Sequence, residues 1–286
     1  MISSIPQSRA FRGTYNAYIA LFFLFLIAPL LVVAVFSFND SLFPSLPWMG
    51  GTLDWYFSDT PERQGLFHDD AILESMVTSL LVATGVTVLS VLLALSNAFL
   101  FERHDFKGKS FLYSLMLVPL VIPGVILGIS VLAFGSNIAN NVEDNWGIYL
   151  DFLRPGLVMV ILGQFAFIST ICTLVISARL RKFDIQLEEA ALNLGASRFD
   201  VFRTITLPWL RPAIVGSAIV AFLMSFENFN TTLILVGSDA PLTITMFDRL
   251  RQGATPVLNA VSVLLMVVSG LLALISVFVQ RKEPGQ

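Results

Sequence analysis

The chain has 286 residues, 56% of them hydrophobic and 13% charged, with a formal net charge of −3 and a mean hydropathy of +0.79. Soluble domains carry about 25% charged residues, so the composition excludes a soluble globular domain, and no nucleic-acid partner is expected. What remains is an all-α, polytopic membrane protein.

Crossing a bilayer takes roughly 20 apolar residues. Six such runs lie at residues 16–38, 73–100, 111–135, 155–178, 212–236 and 258–280. Lys and Arg accumulate on the cytoplasmic side of membrane proteins. With both termini inside, thirteen of the seventeen basic residues fall on that side and only Arg63, Arg154, Arg249 and Arg251 outside. The connection 179–211 is then cytoplasmic, and Arg281 to Gln286 form a short inner tail.

The first run follows Arg9 and Arg12 and has no small-x-small cleavage site, so it reads as an uncleaved span. The next connection carries Asp40, Asp54, Asp59, Glu62, Asp69 and Asp70, expected to form a solvated acidic face. Its aromatics, Trp48, Trp55, Tyr56 and Phe57, suit the headgroup level and predict a short helix on the outer surface. Span two is rich in Ser, Thr, Ala and Gly, which lets helices approach closely in lipid.

After span two, Lys107-Gly108-Lys109-Ser110 ends like a phosphate-binding loop. The Gly that such a loop needs five residues before Gly108 is Arg103. The chain is therefore expected to have no nucleotide site of its own, and any ATP would have to be handled by another subunit.

Span three contains Pro119 and Pro123, which predict a kink. Gly124 and Gly128 suit either a close-packing face or a pathway wall. Residues 136–154 read as a polar turn. Span four holds Gln164, either interhelical glue or a solute contact, and Cys172, the one cysteine, which says nothing about disulfides.

The connection 179–211 is patterned. Leu187, Ala190, Ala191 and Leu194 form one helical stripe, and Gly195 stands where a helix wants a left-handed stop. Ser197 can cap a second short helix bearing Phe199, Val201, Phe202 and Ile205, and Pro208 and Pro212 bracket the return to the membrane. This predicts a helix–Gly–helix hairpin whose apolar faces need a partner. Span five then places Glu227 midway along an apolar stretch, costly unless it faces a cavity or a partner. Glu227, Asn230 and Thr231 are predicted to share one helical face framed by Phe226 and Phe229. Residues 237–256 form the third outer connection, before span six.

The spacing Glu189-Ala190-Ala191-x3-Gly195-x9-Ile205-x-Leu207-Pro208 resembles the EAA loop of ABC-importer permeases, matched at every fixed position. The resemblance implies a single type I importer transmembrane domain over residues 1–286, with six helices and cytoplasmic termini. It implies that Glu188, Glu189, Ala190, Ala191, Gly195, Ala196, Ile205, Leu207 and Pro208 couple the chain to a cytoplasmic ABC ATPase dimer, which binds ATP and Mg. A second permease subunit, different or identical, and a periplasmic solute-binding protein complete the assembly in a bacterial inner membrane.

The C-terminal third is similar to the second permease of spermidine/putrescine importers. The similarity rests on Ser225-Phe226-Glu227-Asn228, on Pro241-Leu242 with Ile244, and on Gly253-x2-Pro256-x2-Asn259-Ala260. Glu-Asn stands where that family has two acids. The implied solute is a polyamine or another amine-bearing compound, with a zwitterion, amino-acid derivative, metal or oxyanion left open. Its pathway residues would be Glu227, Asn228, Asn230, Thr231 and Gln164. A channel or secondary transporter predicts more intramembrane ionisable groups and inverted repeats. An intramembrane metal enzyme is disfavoured, since His68 and His104 fall in connections on opposite sides.

Overall fold

The computed structural model describes residues 8–253 and 255–281. The chain opens with α1 (Arg9–Phe36), a one-turn α2 (Asp54–Phe57) and an antiparallel ribbon, β1 (Asp59–Thr60) and β2 (Arg63–Gln64). There follow α3 (Asp70–Arg103), α4 (Lys109–Val121), α5 (Gly124–Trp146) and α6 (Leu157–Leu180). Next come α7 (Gln186–Asn193), α8 (Arg198–Val201), α9 (Leu207–Phe226), α10 (Asn230–Leu235), α11 (Leu242–Gln252) and α12 (Pro256–Arg281). Among the described residues six helical stretches are long and apolar enough to cross a membrane; each overlaps one expected span, but the third, Gly124–Trp146, and the fifth, Arg198–Phe226, are displaced from 111–135 and 212–236. The inner tail expected beyond Arg281, with Lys282, lies outside the described residues.

One compact unit comprises the chain up to Asp70 together with Arg249–Val267. Its loop after α1 is tied by Asn39, whose side chain donates to Ser45 O at 3.1 Å and accepts from Met49 N at 2.9 Å. The buried indole of Trp55 donates to Asn39 O at 2.8 Å. Arg63 bridges Asp40 and Asp54 and lies 5.6 Å over the Trp55 ring. Asp69, 3% exposed, takes both terminal nitrogens of Arg249. The acidic stretch is therefore only partly a solvated face: Asp40, Asp54 and Asp69 are held in arginine pairs. The expected short helix is α2.

The second unit comprises Ala71–Asp248 and the chain from Val268 on. Its centre is α6, which buries Met159, Val160, Ile168, Cys172, Ile176 and Leu180 and packs against α4, α5, α9 and α10. On α3 the buried positions include Ser79, Ala83, Ser90, Ala94 and Ala98, the small residues that allow close approach.

Three expectations are corrected. Span three is two helices, because Ile122 and Pro123 are extended between α4 and α5; Pro123 forces its predecessor out of the helical region. Second, α5 runs to Trp146, so 136–146 is helix rather than a polar turn. Asn137, Asn141 and Asn145 recur every four residues, and each donates to the carbonyl four back at 2.7–2.8 Å, so polarity is absorbed along one helical face. Third, the fifth span starts in the hairpin at Arg198 and stops at Phe226, with α10 a separate helix. Here the Asn228 side chain accepts from Thr232 N at 3.3 Å and Thr232 Oγ1 at 3.2 Å, a side-chain competitor for backbone bonds. The connection 237–256 also contains a helix, α11.

Gly124 and Gly128 face α10. A Cβ on Gly128 would lie 3.1 Å from Ile234 Cβ and 3.3 Å from Thr231 O. Gly128→Val is expected to overpack this contact at about 1–3 kcal/mol, lowering thermal stability of the solubilised chain. Gly270→Val, with open space around the site, serves as the neutral control.

Candidate functional site

The hairpin between α6 and α9 is built from local signals. Asp184 accepts from Gln186 N at 3.0 Å at the start of α7, and Glu188 and Glu189 in the first turn suit the helix dipole. At its end Ala196 N donates to Ala191 O at 3.1 Å and Gly195 N to Leu192 O at 3.0 Å. This paired pattern places Gly195 at φ +90°. Ser197 Oγ then accepts from Asp200 N at 3.1 Å and caps α8. The chain continues without interruption into α9 through a π-helical turn, Phe202–Thr206, in which Leu207 N donates to Phe202 O. Pro208 cannot donate, and its ring crowds the carbonyl four residues back; the wider turn lies immediately before it. The expected second helix is thus the first turn of span five, not a separate piece.

The two adjacent acids in the first turn of α7 part company. Glu189 is exposed. Glu188 is half-buried, and its Oε1 accepts both from Arg103 Nη2 at 3.0 Å and from Thr206 Oγ1 at 2.6 Å. The Arg103 guanidinium lies 5.4 Å from the Phe183 ring centroid, and Phe183 meets Trp209 edge-on at 5.8 Å. Arg179 stacks over Trp209 at 4.2 Å and donates to its carbonyl at 3.2 Å. One residue before Arg103, Glu102 takes a forked pair from Arg181 at 2.7 and 3.1 Å. Thr206 is the variable position of Ile-x-Leu-Pro, and sequence reading gave Arg103 and Phe183 no role at the hairpin.

The apolar stripe is only partly covered on the single chain. Leu187 is 52% exposed, Leu194 90% and Phe199 67%. Ala190 and Pro208 are exposed, while Ala191, Ala196, Ile205 and Leu207 are half-buried.

Elsewhere in the same unit, a cavity of about 290 Å³ lies where the α4–α5 and α9–α10 breaks meet. Asn228, Asn230 and Thr231 line it together with Gly124, Phe167 and Met224, and the lining contains no ionisable side chain. Glu227 is exposed at the α9–α10 break and outside this lining. It shares no continuous helix with Asn230 and Thr231, contrary to expectation. Phe226 stacks on Phe222, and Phe229 meets Phe247 at 4.9 Å.

Gln164 is also outside the cavity. It is 1% exposed, donates to Thr232 Oγ1 at 2.9 Å and accepts from Ser225 Oγ. Thr232 passes the chain of hydrogen bonds on to Asn228. The geometry makes Gln164 glue behind the cavity wall rather than a wall itself.

A family described as binding-protein-dependent transport system inner membrane component matches residues 87–282. The putrescine transport system permease protein PotI of Escherichia coli K12 is 30% identical over 266 residues, 92% of this chain and 89% of its own length. The spermidine/putrescine transport system permease protein PotC of Haemophilus influenzae is 27% identical over 269 residues, 94% of this chain and 96% of its own. Among solved structures, a chain of a bacterial ABC transporter involved in import of the acidic polysaccharide alginate superposes with a TM-score of 0.72 at 19% identity. The match covers 96% of each chain.

Membrane-buried hydrogen bonds average about 0.6 kcal/mol in double-mutant cycles. Gln164→Leu leaves the buried Ser225 hydroxyl without its acceptor and takes one of two partners from Thr232 Oγ1, which keeps Asn228, so a loss of about 1–2 kcal/mol is expected. Thermal unfolding of the solubilised chain checks this, with Glu227→Leu expected to unfold like the wild type.

Proposed function

This chain belongs to the family of binding-protein-dependent transport system inner membrane components, and from that premise we propose that it carries a polyamine or similar amine-bearing solute inward by ATP-driven alternating access. It is a non-catalytic permease subunit of a bacterial ABC importer, seated in the inner membrane. In this reading both termini and the 179–211 hairpin face the cytoplasm. The uncovered stripe of Leu187, Leu194 and Phe199 docks on an ATPase dimer that holds ATP and Mg. A second, different permease subunit completes the pathway, and a periplasmic binding protein delivers the solute. ATP favours one docked arrangement over the other, and that differential affinity supplies the free energy for the conformational change.

The observation that carries the solute is the sequence Glu227-Asn228 at a helix break beside a cavity, in a chain whose relatives are named as putrescine and spermidine permeases. An exposed carboxylate at membrane depth is a functional group by default, and an amine is its natural partner. The uncharged cavity wall supports a second reading within the same family, a zwitterion such as an amino-acid derivative.

Two experiments check these roles. Ala190 is exposed on the single chain, so Ala190→Trp is expected to leave the permease folded while filling the space an ATPase groove needs. At least a tenfold drop in co-purified ATPase is expected, and undiminished recovery would turn the stripe toward lipid. In proteoliposomes of the complete transporter, Glu227→Gln is expected to cut putrescine uptake about tenfold per assembled complex. Uptake at the wild-type rate would remove Glu227 from the pathway, and wild-type transporter indifferent to putrescine and spermidine would overturn the polyamine reading.

A further inference from the structure

We propose that Arg103, outside the hairpin motif, is a positioning residue that locks the hairpin helix α7 to the C-terminal end of α3, so that the two move as one rigid piece. The inference rests on the reading that the hairpin is what the ATPase displaces.

The lock has one centre. A single oxygen of Glu188 holds Arg103 at the end of α3 and Thr206 at the π-helical turn leading into α9. A displacement of α7 is therefore felt in two membrane helices: in α9 through the continuous chain, and in α3 directly through the ion pair, beside the Glu102–Arg181 pair and the Phe99–Phe202 ring contact that tie α3 to the flanking segments. Without Arg103, no other hydrogen bond or ion pair described here joins α7 to α3.

The pair is built for position more than for stability. Its side chains are 16% and 21% exposed, so both charges lose most of their water, a cost that apolar residues of the same volume would not incur. The Nε–H of Arg103 is buried with no hydrogen-bond partner, so the guanidinium is not fully satisfied either. What an ion pair supplies here is direction: a charge-assisted hydrogen bond fixes where α7 sits, as apolar contact does not. Phe183, packed under the guanidinium and against Trp209, limits where Arg103 can go.

The motion has somewhere to go. At about 1.5 Å per residue, α3 is a stiff rod. Farther toward its N-terminus, Ser79 Oγ accepts from Leu242 N at 2.8 Å, at the start of α11. The next residue, Thr243, donates through Oγ1 to Asn228 O at 3.2 Å, at the helix break beside the cavity. The rod thus joins the hairpin to the backbone of a cavity-lining residue.

The test uses the complete transporter in lipid nanodiscs, spin-labelled at Ser96→Cys on α3 and Asn193→Cys on α7, with Cys172 replaced by Ser. Pulsed dipolar spectroscopy reads the distance with no nucleotide and with ATP and vanadate. The expected wild-type result is one narrow distribution, unchanged between the two states. Arg103→Ala is expected to broaden it at least twofold and to separate the states, and the reversed pair Arg103→Glu with Glu188→Arg to narrow it again. A narrow, state-independent distribution in Arg103→Ala would overturn the proposal, as would a wild-type distance that shifts between states or a reversed pair as broad as Arg103→Ala. The nucleotide-free comparison of wild type, Arg103→Ala and the reversed pair stands even if the hairpin proves not to dock an ATPase, a failure that Ala190→Trp detects separately.

Discussion

In hydrocarbon a backbone N–H or C=O has no water to turn to, so a helix can stop at membrane depth only where protein satisfies what the stop leaves open. The structure meets that constraint at two breaks, around Pro123 and around Glu227–Phe229, and residues from both line the cavity. At the second break the Asn228 side chain accepts the Thr232 N–H, one of the free donors in the first turn of α10, and Thr243 donates to the Asn228 carbonyl. Thr231 hydroxyl reaches across to Gly124 O at the first break, at 3.3 Å. Ser225, Gln164 and Thr232 extend the same chain of bonds into the core. The polar residues of span five are therefore of two kinds: those that make the break affordable, and those left facing the space it opens.

The hairpin shows a similar division. An eight-residue helix is too short to be stable by itself, so α7 depends on its ends and on what it touches. Asp184, the Gly195 stop and Glu188 hold it on the inside, while Leu187, Leu194 and Ala190 are left exposed. Two adjacent acids can serve opposite purposes because neighbours on a helix are about 100° apart: Glu188 turns to Arg103 and Thr206, Glu189 to solvent.

How much of this could be read from the sequence follows from the range of each interaction. The six spans needed only apolar length. The Gly195 stop and the Ser197 cap are decided within four or five residues, and both were legible. The role of Glu188 was not, since Arg103 lies 85 residues away and carried only its charge as a signal. Gln164 stayed ambiguous for the same reason, with partners 61 and 68 residues distant. The break at Asn228 was hidden because apolar length masks a side chain that competes for backbone bonds. The helical Asn137-Asn141-Asn145 spacing was visible, but polar composition outweighed it.

Glu227 stands at the second break. On the single chain it is exposed at a depth where a bare carboxylate is costly by several kcal/mol, and none of the cavity's lining residues offers it a cation. Desolvation would be relieved by a water-filled passage, by a cationic group of a second subunit, or by the amine of a solute. The first and third belong to the same device, a pathway that is wet in one state and occupied in another. The second would make the carboxylate a fixed interface charge, and a fixed charge gains nothing from standing at a helix break. The break frees residues 227–229 from a continuous helix; there Thr243 of α11 donates to the Asn228 carbonyl, and the preceding Leu242 N donates to Ser79 of α3. The proposed pathway role gives that break a use that a fixed interface charge does not.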